Sequence, residues 1–334
     1  MFLNNVVASL LLQHDEATYN LKDLVADCSL IYKYMQARGI ATIMHTAPNK
    51  SNIERVLAGL GYKIVTEKTN AAIKNVTQNV NLSIRENFKE LLGLYYYNIG
   101  YMQHMVMDVV IGKVLTNLGG EPICIDDLDK KVALMSHIFR NEYVDREEVP
   151  YSQMVRTRIE TIAQFGGATF NEQTGKVSIA DATKEGKFLL NHLQRMGHYI
   201  ANAYLIVLYA LEDISEANHV ISETKLVNEL HQATLQMYKD NLIKEMPSCL
   251  KELMETALRR FGAMGIAEIK HYTTPAGSSI SFISCSFKNL GKIEELKLQI
   301  SALHEYTPHE QQVIADRTQQ AINNSLVQHL VAKL

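Results

Sequence analysis

One pattern, repeated three times, constrains how this chain can fold. A helical stretch ends at a glycine step, two short β-type segments come next with a polar turn between them, and a helix resumes. The first copy runs from Gly59-Leu60-Gly61 through 62–65 and, after a long polar loop, 80–84. The second runs from Gly166-Gly167 through 168–170, the turn Asn171-Glu172-Gln173-Thr174-Gly175, and 177–179. The third runs from Gly262-Ala263-Met264-Gly265 through 266–271, the turn Thr274-Pro275-Ala276-Gly277, and 279–285. Glycine lets the chain reverse, and the polar turn residues set up hairpins. The remainder has helical period and helical punctuation. Helices are expected over 4–13, 20–38 (Asn20 as cap, Gly39 as stop), from a cap at Ser51 to Gly59, and over 83–118. They continue over 126–143, 152–165, 184–212, 222–244, 247–260, 290–304 and 308–330.

Helices with a hairpin wing behind them resemble winged-helix modules. The expected fold is therefore mainly α: a helical bundle with short β-hairpins, arranged as repeated winged-helix-like modules. Two domains are expected, a helical module over 1–120 with the first hairpin and another over 121–334 with the second and third. Winged helices often bind DNA, which needs a cationic helix face. Here Arg156 and Arg158 are offset by Glu160, and Lys251, Arg259 and Arg260 by Glu252 and Glu255. With a net charge of −3, the chain lacks the basic excess that phosphate neutralisation requires, so no nucleic-acid partner is assigned.

Two apolar stretches approach membrane-span length. The segment 91–115 carries Asn98, Gln103, His104, Asp108 and Lys113, and 199–211 is shorter than the roughly 20 residues a span needs. Both read as buried core helices, so no transmembrane helix is expected. The start, Met1-Phe2-Leu3-Asn4-Asn5, lacks a basic leader and runs directly into an apolar helix, which reads as part of a larger protein. Four widely spaced cysteines form neither a disulfide framework nor a Cys-type zinc site.

Chemistry-bearing motifs are sparse. Gly59-Leu60-Gly61 and Gly119-Gly120 lack the rest of a nucleotide fingerprint, and no nucleophile elbow occurs. His104 and Asp108 share a helix face at i, i+4 but have no third ligand, so they read as a hydrogen-bonded core histidine and its partner. Tyr95, Tyr96, Tyr97 and Tyr101, with His104, form an aromatic patch that reads either as core, largely buried, or as the lining of a substrate cavity. No catalytic, metal-binding or cofactor-binding residue is assigned.

Several segments together resemble a known family. Asn5-Val6-Val7-Ala8-Ser9-Leu10-Leu11-Leu12-Gln13 resembles the "VVATLLLQ" segment of glycerol-3-phosphate and dihydroxyacetone-phosphate acyltransferases, and 21–38 resembles the next segment of that family. The run from Tyr95 to His104 is similar to the family's "YYRNxxxHxF" helix, with Tyr97 where a basic residue is usual. The segment 132–143, with Phe139-Arg140-Asn141-Glu142-Tyr143, is similar to its "LLxxEFI" segment. In that family these segments lie after the catalytic domain. The resemblance implies transfer of an acyl group from acyl-CoA to a hydroxyl of dihydroxyacetone phosphate or glycerol 3-phosphate. The family's His-x4-Asp base and its Phe-x-Glu-Gly-x-Arg phosphate motif do not occur in this chain, and His137 has Glu142, not Asp, at the base's spacing.

The chain closes on Ala332-Lys333-Leu334, which has the form of the peroxisomal import tripeptide. The bland alternative is the frayed end of a helix. Taken with the resemblance, the tripeptide favours the dihydroxyacetone-phosphate branch, acting on the matrix face of the peroxisomal membrane. The partners so implied are a catalytic acyltransferase half of the same enzyme, the peroxisomal import receptor and a peripheral membrane contact. A stand-alone scaffold or regulatory protein built from this domain is the alternative; a winged-helix nucleic-acid binder is a third reading, which the charge disfavours.

Overall fold

A computed structural model describes residues 3–14, 16–40, 48–68, 76–82, 88–142, 151–273, 277, 279–301 and 306–331. The fold is mainly α with small antiparallel sheets. Three stretches share one order of elements: helix, short strand, two helices, hairpin. The first is α1 (Leu3–Gln13), β1 (Thr18–Asn20), α2 (Leu21–Ala37), α3 (Lys50–Gly59), β2 (Lys63–Lys68) and β3 (Val76–Asn81). The second is α4 (Phe88–Asn117), β4 (Ile123–Cys124), α5 (Ile125–Ile138), α6 (Tyr151–Gln164), β5 (Thr169–Asn171) and β6 (Lys176–Ser178). After α7 (Lys184–Met196) the third is α8 (His198–Glu216), β7 (Val220–Ser222), α9 (Glu223–Lys239), α10 (Lys251–Ala263), β8 (Ala267–Thr273) and β9 (Ser279–Cys285). Helices α11 (Leu290–Ser301) and α12 (Pro308–Val331) complete the chain.

The three sheets have the same strand order: β1-β3-β2, β4-β6-β5 and β7-β9-β8. In each, the hairpin's return strand sits in the middle and a two- or three-residue strand from between the helices pairs with its free edge. Those short strands are not expected from sequence. They lie immediately before a helix start, where their residues have the character of caps and loops.

Helix starts and stops obey local chemistry. Asn20 caps α2, its side-chain oxygen accepting from the backbone N–H of Lys22 at 2.9 Å. Gly39 ends it at φ +70°. The third helix is capped by Asn49 rather than Ser51, because Asn49 Oδ1 accepts the N–H of Asn52 at 3.0 Å and starts the helix earlier. The helix expected over 126–143 stops at Ile138 and gives way to a 3₁₀ turn, Arg140–Glu142. The single helix expected over 184–212 is two, parted at Gly197. Glycine costs a helix interior about 1 kcal/mol relative to alanine, which favours a break there without requiring one, since α4 runs on through Gly93, Gly100 and Gly112.

The chain forms two compact units. The first comprises Met1–Ser136 with Tyr143–Met196, the second His137–Glu142 with Gly197–Leu334. The division at Gly197 places the second hairpin with the first unit, whereas the expected boundary near 120 placed it with the C-terminal one. In the first unit α1 packs on α4, and α4 on α7. In the second unit α8 is the central helix, flanked by α10, α11 and α12. Every residue from Ile200 to Leu211 is buried. A helix apolar all round must be enclosed, and each fully buried large side chain contributes roughly 1.5–3 kcal/mol. No described helix is long and apolar enough to cross a membrane.

Candidate functional site

The aromatic helix α4 divides its residues among faces. Tyr95 and Tyr101 are buried, as are Asn98, Met102 and Met105. Tyr96 is 76% exposed, and His104 is exposed as well. This corrects the expectation that the patch is buried as a whole. At about 100° per residue, Tyr96 is a quarter-turn and His104 a half-turn away from Tyr95. Tyr97 is partly buried, and its carbonyl accepts from Asn5 Nδ2 at 2.7 Å.

Asp108, one turn after the exposed His104, is buried. Its carboxylate, wholly buried, accepts Tyr34 Oη–H at 2.5 Å and Arg38 Nε–H at 2.7 Å on Oδ1, and Arg38 Nη2–H at 3.0 Å on Oδ2. Arg158 Nε lies 4.0 Å from Oδ2. Burial raises the Asp108 carboxyl above its ordinary value, while Arg38 and Tyr34 oppose that shift. The bidentate pair ties α2 to α4 in the core of the first unit. Sequence reasoning missed it. The available signal was an aspartate inside an apolar run, which obliges a buried partner.

The first unit also contains a cleft of about 180 Å³ lined by Leu10, Gln13, His14, Tyr19, Phe188 and Arg195, among others. His14 stacks on Tyr19 with ring centroids 3.9 Å apart, and Tyr19 Oη–H donates to Asp27 Oδ2 at 2.5 Å. His192 stacks on Phe188, and its Nε2 lies 3.2 Å from Tyr101 Oη. Burial, with the nearby Arg195 charge, holds His192 down to about 3. Its imidazole is thus neutral and weakly basic at physiological pH. Tyr101 is the patch member that reaches this cleft, through His192.

In the second unit the 3₁₀ turn aims Glu142 at α8, where its Oε1 accepts Tyr204 Oη–H at 2.8 Å. Phe139 and Phe261 meet the Tyr204 ring edge-on at 5.1 and 5.5 Å. Burial pushes the Glu142 carboxyl up to about 7, the Tyr204 bond opposing. His137 is exposed, and its backbone carbonyl accepts from the Arg260 guanidinium. The two residues at the spacing of the family's base therefore do not form a dyad: Glu142 engages Tyr204. Among the cations of the two candidate recognition helices, Arg158 and Arg260 are buried, while Arg156 pairs with Glu160 and Arg259 with Glu255. Among the described residues no group of three His, Cys, Asp or Glu side chains has metal-binding proximity. Ala332, Lys333 and Leu334 lie outside the described residues.

Comparison with known families decides what this arrangement belongs to. The sequence matches the family described as the glycerol-3-phosphate acyltransferase C-terminal region over residues 3–270. The chain belongs to that family. No curated protein matches it. The match takes in the first two modules and the third as far as β8. The acyltransferase-like segments occupy α1, α2, α4 and α5 with the turn after it, and those on α1, α2 and α4 supply much of the first unit's core. Val6, Val7, Leu10 and Leu11 of the first are buried, and Asn5 of that segment bonds the backbone of Tyr97 in the third. Gly100 faces Asn5 closely, with an added Cβ coming to 3.1 Å from Asn5 Nδ2. In this acyltransferase region the shared residues thus hold helices together, and Leu10 and Gln13 of the first segment also line the cleft.

Proposed function

We propose that this chain is the C-terminal, non-catalytic region of an enzyme that transfers a long acyl group from acyl-CoA to the hydroxyl of dihydroxyacetone phosphate, the entry step to ether lipids. The observation that carries the non-catalytic reading is in the sequence: no histidine has an aspartate five residues on, and no Phe-x-Glu-Gly-x-Arg motif occurs. The geometry agrees, because buried His192 is a weak base and Glu142, the carboxylate at the base's spacing from His137, accepts from Tyr204 instead. The catalytic region supplies the base that takes the proton from the attacking hydroxyl as coenzyme A leaves as its thiol. Ala332-Lys333-Leu334 supports the dihydroxyacetone-phosphate branch over the glycerol-3-phosphate one, with the peroxisomal import receptor as a partner and a peripheral contact on the matrix face of the membrane.

The test has two arms. A separately produced acyltransferase catalytic region is assayed with acyl-CoA and dihydroxyacetone phosphate, with and without this chain. Activity or thermal stability that rises on addition supports the reading. No change in either points instead to a stand-alone scaffold. A fluorescent protein fused to the N-terminus of the chain is expected in peroxisomes, and deletion of Leu334 is expected to leave it cytosolic. Peroxisomal fluorescence that survives the deletion removes the main support for the dihydroxyacetone-phosphate branch.

A further inference from the structure

The three hairpin sheets share one topology but differ in what they show to solvent. Side chains alternate across a strand, so each sheet has an inner and an outer face. In the third, Ile221, Ile283 and Ile269 are in register and face inward. The outer face carries Val220, Phe282, Tyr272 and Ile280, with Ser222, Ser284, Glu268 and Lys270 beside them. Val220 is 61% exposed, Tyr272 54% and Ile280 40%, and Phe282 is partly so. Tyr272 and Phe282 meet edge to face at 5.6 Å.

The other two wings serve as internal controls. The outer face of the second presents Cys124, Thr169, Asn171, Lys176 and Ser178. That of the first presents Thr18, Asn20, Lys63, Thr77, Asn79 and Asn81, with Val65 the one apolar side chain among those described. Same topology and same solvent position, yet among the described residues only the third outer face carries a cluster of apolar and aromatic side chains. Solvation of a wing therefore does not account for it. A clustered apolar patch rimmed by charge marks an interaction surface.

We propose that the outer face of the third wing is a self-association surface, on which a second copy of this chain packs face to face about a two-fold axis. The charges on the patch identify the occupant. Glu268 and Lys270 are two residues apart on β8, on the same face, and pair with each other at 3.2 Å in the single chain. The patch thus carries one acid and one base beside a neutral apolar stripe, and is complementary to itself. Across a two-fold axis Glu268 of each copy meets Lys270 of the other, twice over, while Tyr272, Ile280 and Phe282 bury against their counterparts. A lipid surface would favour a cationic rim, and this rim has no net charge. The proposal is independent of the substrate assignment.

Sedimentation equilibrium of the full chain from about 1 to about 100 μM tests it. A monomer–dimer equilibrium is expected within that range. Ile280→Asp and Tyr272→Asp, both on the solvent side, are each expected to weaken the dimer roughly tenfold or more with the thermal transition unchanged. Glu268→Lys and Lys270→Glu are expected to weaken it singly, and the two combined to restore it, because reciprocal pairs exchange sign together. A chain that stays monomeric throughout, or a dimer indifferent to Ile280→Asp and to the charge variants, overturns the proposal. So does a monomer that floats with phosphatidylcholine vesicles, or binds the acyltransferase catalytic region, in an Ile280-dependent way.

Discussion

Replacing Arg38 with Met should be among the most damaging single changes to the first unit. Arg38 makes two bonds to Asp108, at 2.7 and 3.0 Å, and the two side chains are 3% and 0% exposed. Solvent screening is negligible at that depth. Removing one partner leaves the other charge buried, with Tyr34 Oη–H as its remaining close donor and Arg158 too distant at 4.0 Å to replace the fork. Breaking a buried pair in this way costs about 3–5 kcal/mol. For a unit of this size that lowers the melting temperature by about 6–20 °C. The combined variant Arg38→Met/Asp108→Leu removes both charges and should regain much of the loss, since an apolar pair of similar volume is often as stable as the ion pair. The coupling in the double-mutant cycle should be about 2 kcal/mol or more. Urea unfolding monitored by circular dichroism supplies the free energies, and amide exchange in α2 and α4 assigns them to the first unit. If Arg38→Met costs under about 1 kcal/mol, or if the two losses simply add, Asp108 is not held as described.

Individual residues give three further outcomes. A Cβ at Gly186 would fall on the carbonyl oxygen of Gly166, where α7 meets the second hairpin, so Gly186→Ala should destabilise by several times about 1 kcal/mol; Gly93→Ala in α4, with nothing near, should stabilise by about 0.4–1 kcal/mol. Thermal melts of the pair compare them directly, and equal effects would refute the close approach. The Glu142 carboxyl is raised from 4.5 to about 7 in the fold, so over that interval the native state holds a proton the unfolded chain has released. Its contribution to the second unit, at most about 3 kcal/mol, is complete below pH 4.5 and lost as pH rises through about 7. The stability difference between wild type and Glu142→Gln should change with pH across that window, and a constant difference contradicts the assignment. His192, held at about 3, should show imidazole resonances that do not move between about pH 5 and about pH 8, and a titration there would show it to be solvated.

The hairpins and most helices are legible in the sequence because glycine steps, polar turns and helical period are local signals. Asn20 and Gly39 mark both ends of α2. The short strands β1, β4 and β7 are not legible, because two or three residues have no periodicity of their own and become strands only where a hairpin edge is there to pair with. The break at Gly197 is visible as a single glycine inside an apolar run, but the run outweighs it. Tyr96 and His104 look buried in the sequence because the whole segment is apolar in composition. Composition is blind to face, and counting about 100° per residue from Tyr95 turns both outward. The partners of Asp108 and Glu142 come from helices far away in sequence, so a lone aspartate or glutamate signals only that a partner exists.

The central claim, a C-terminal acyltransferase region without a catalytic base of its own, is tested most directly by turnover. The purified chain is incubated with radiolabelled acyl-CoA and dihydroxyacetone phosphate, and in parallel with glycerol 3-phosphate, and acyl incorporation is counted. The account predicts incorporation equal to the protein-free blank with both acceptors. Sustained turnover by the chain alone, abolished by His137→Ala, would contradict it.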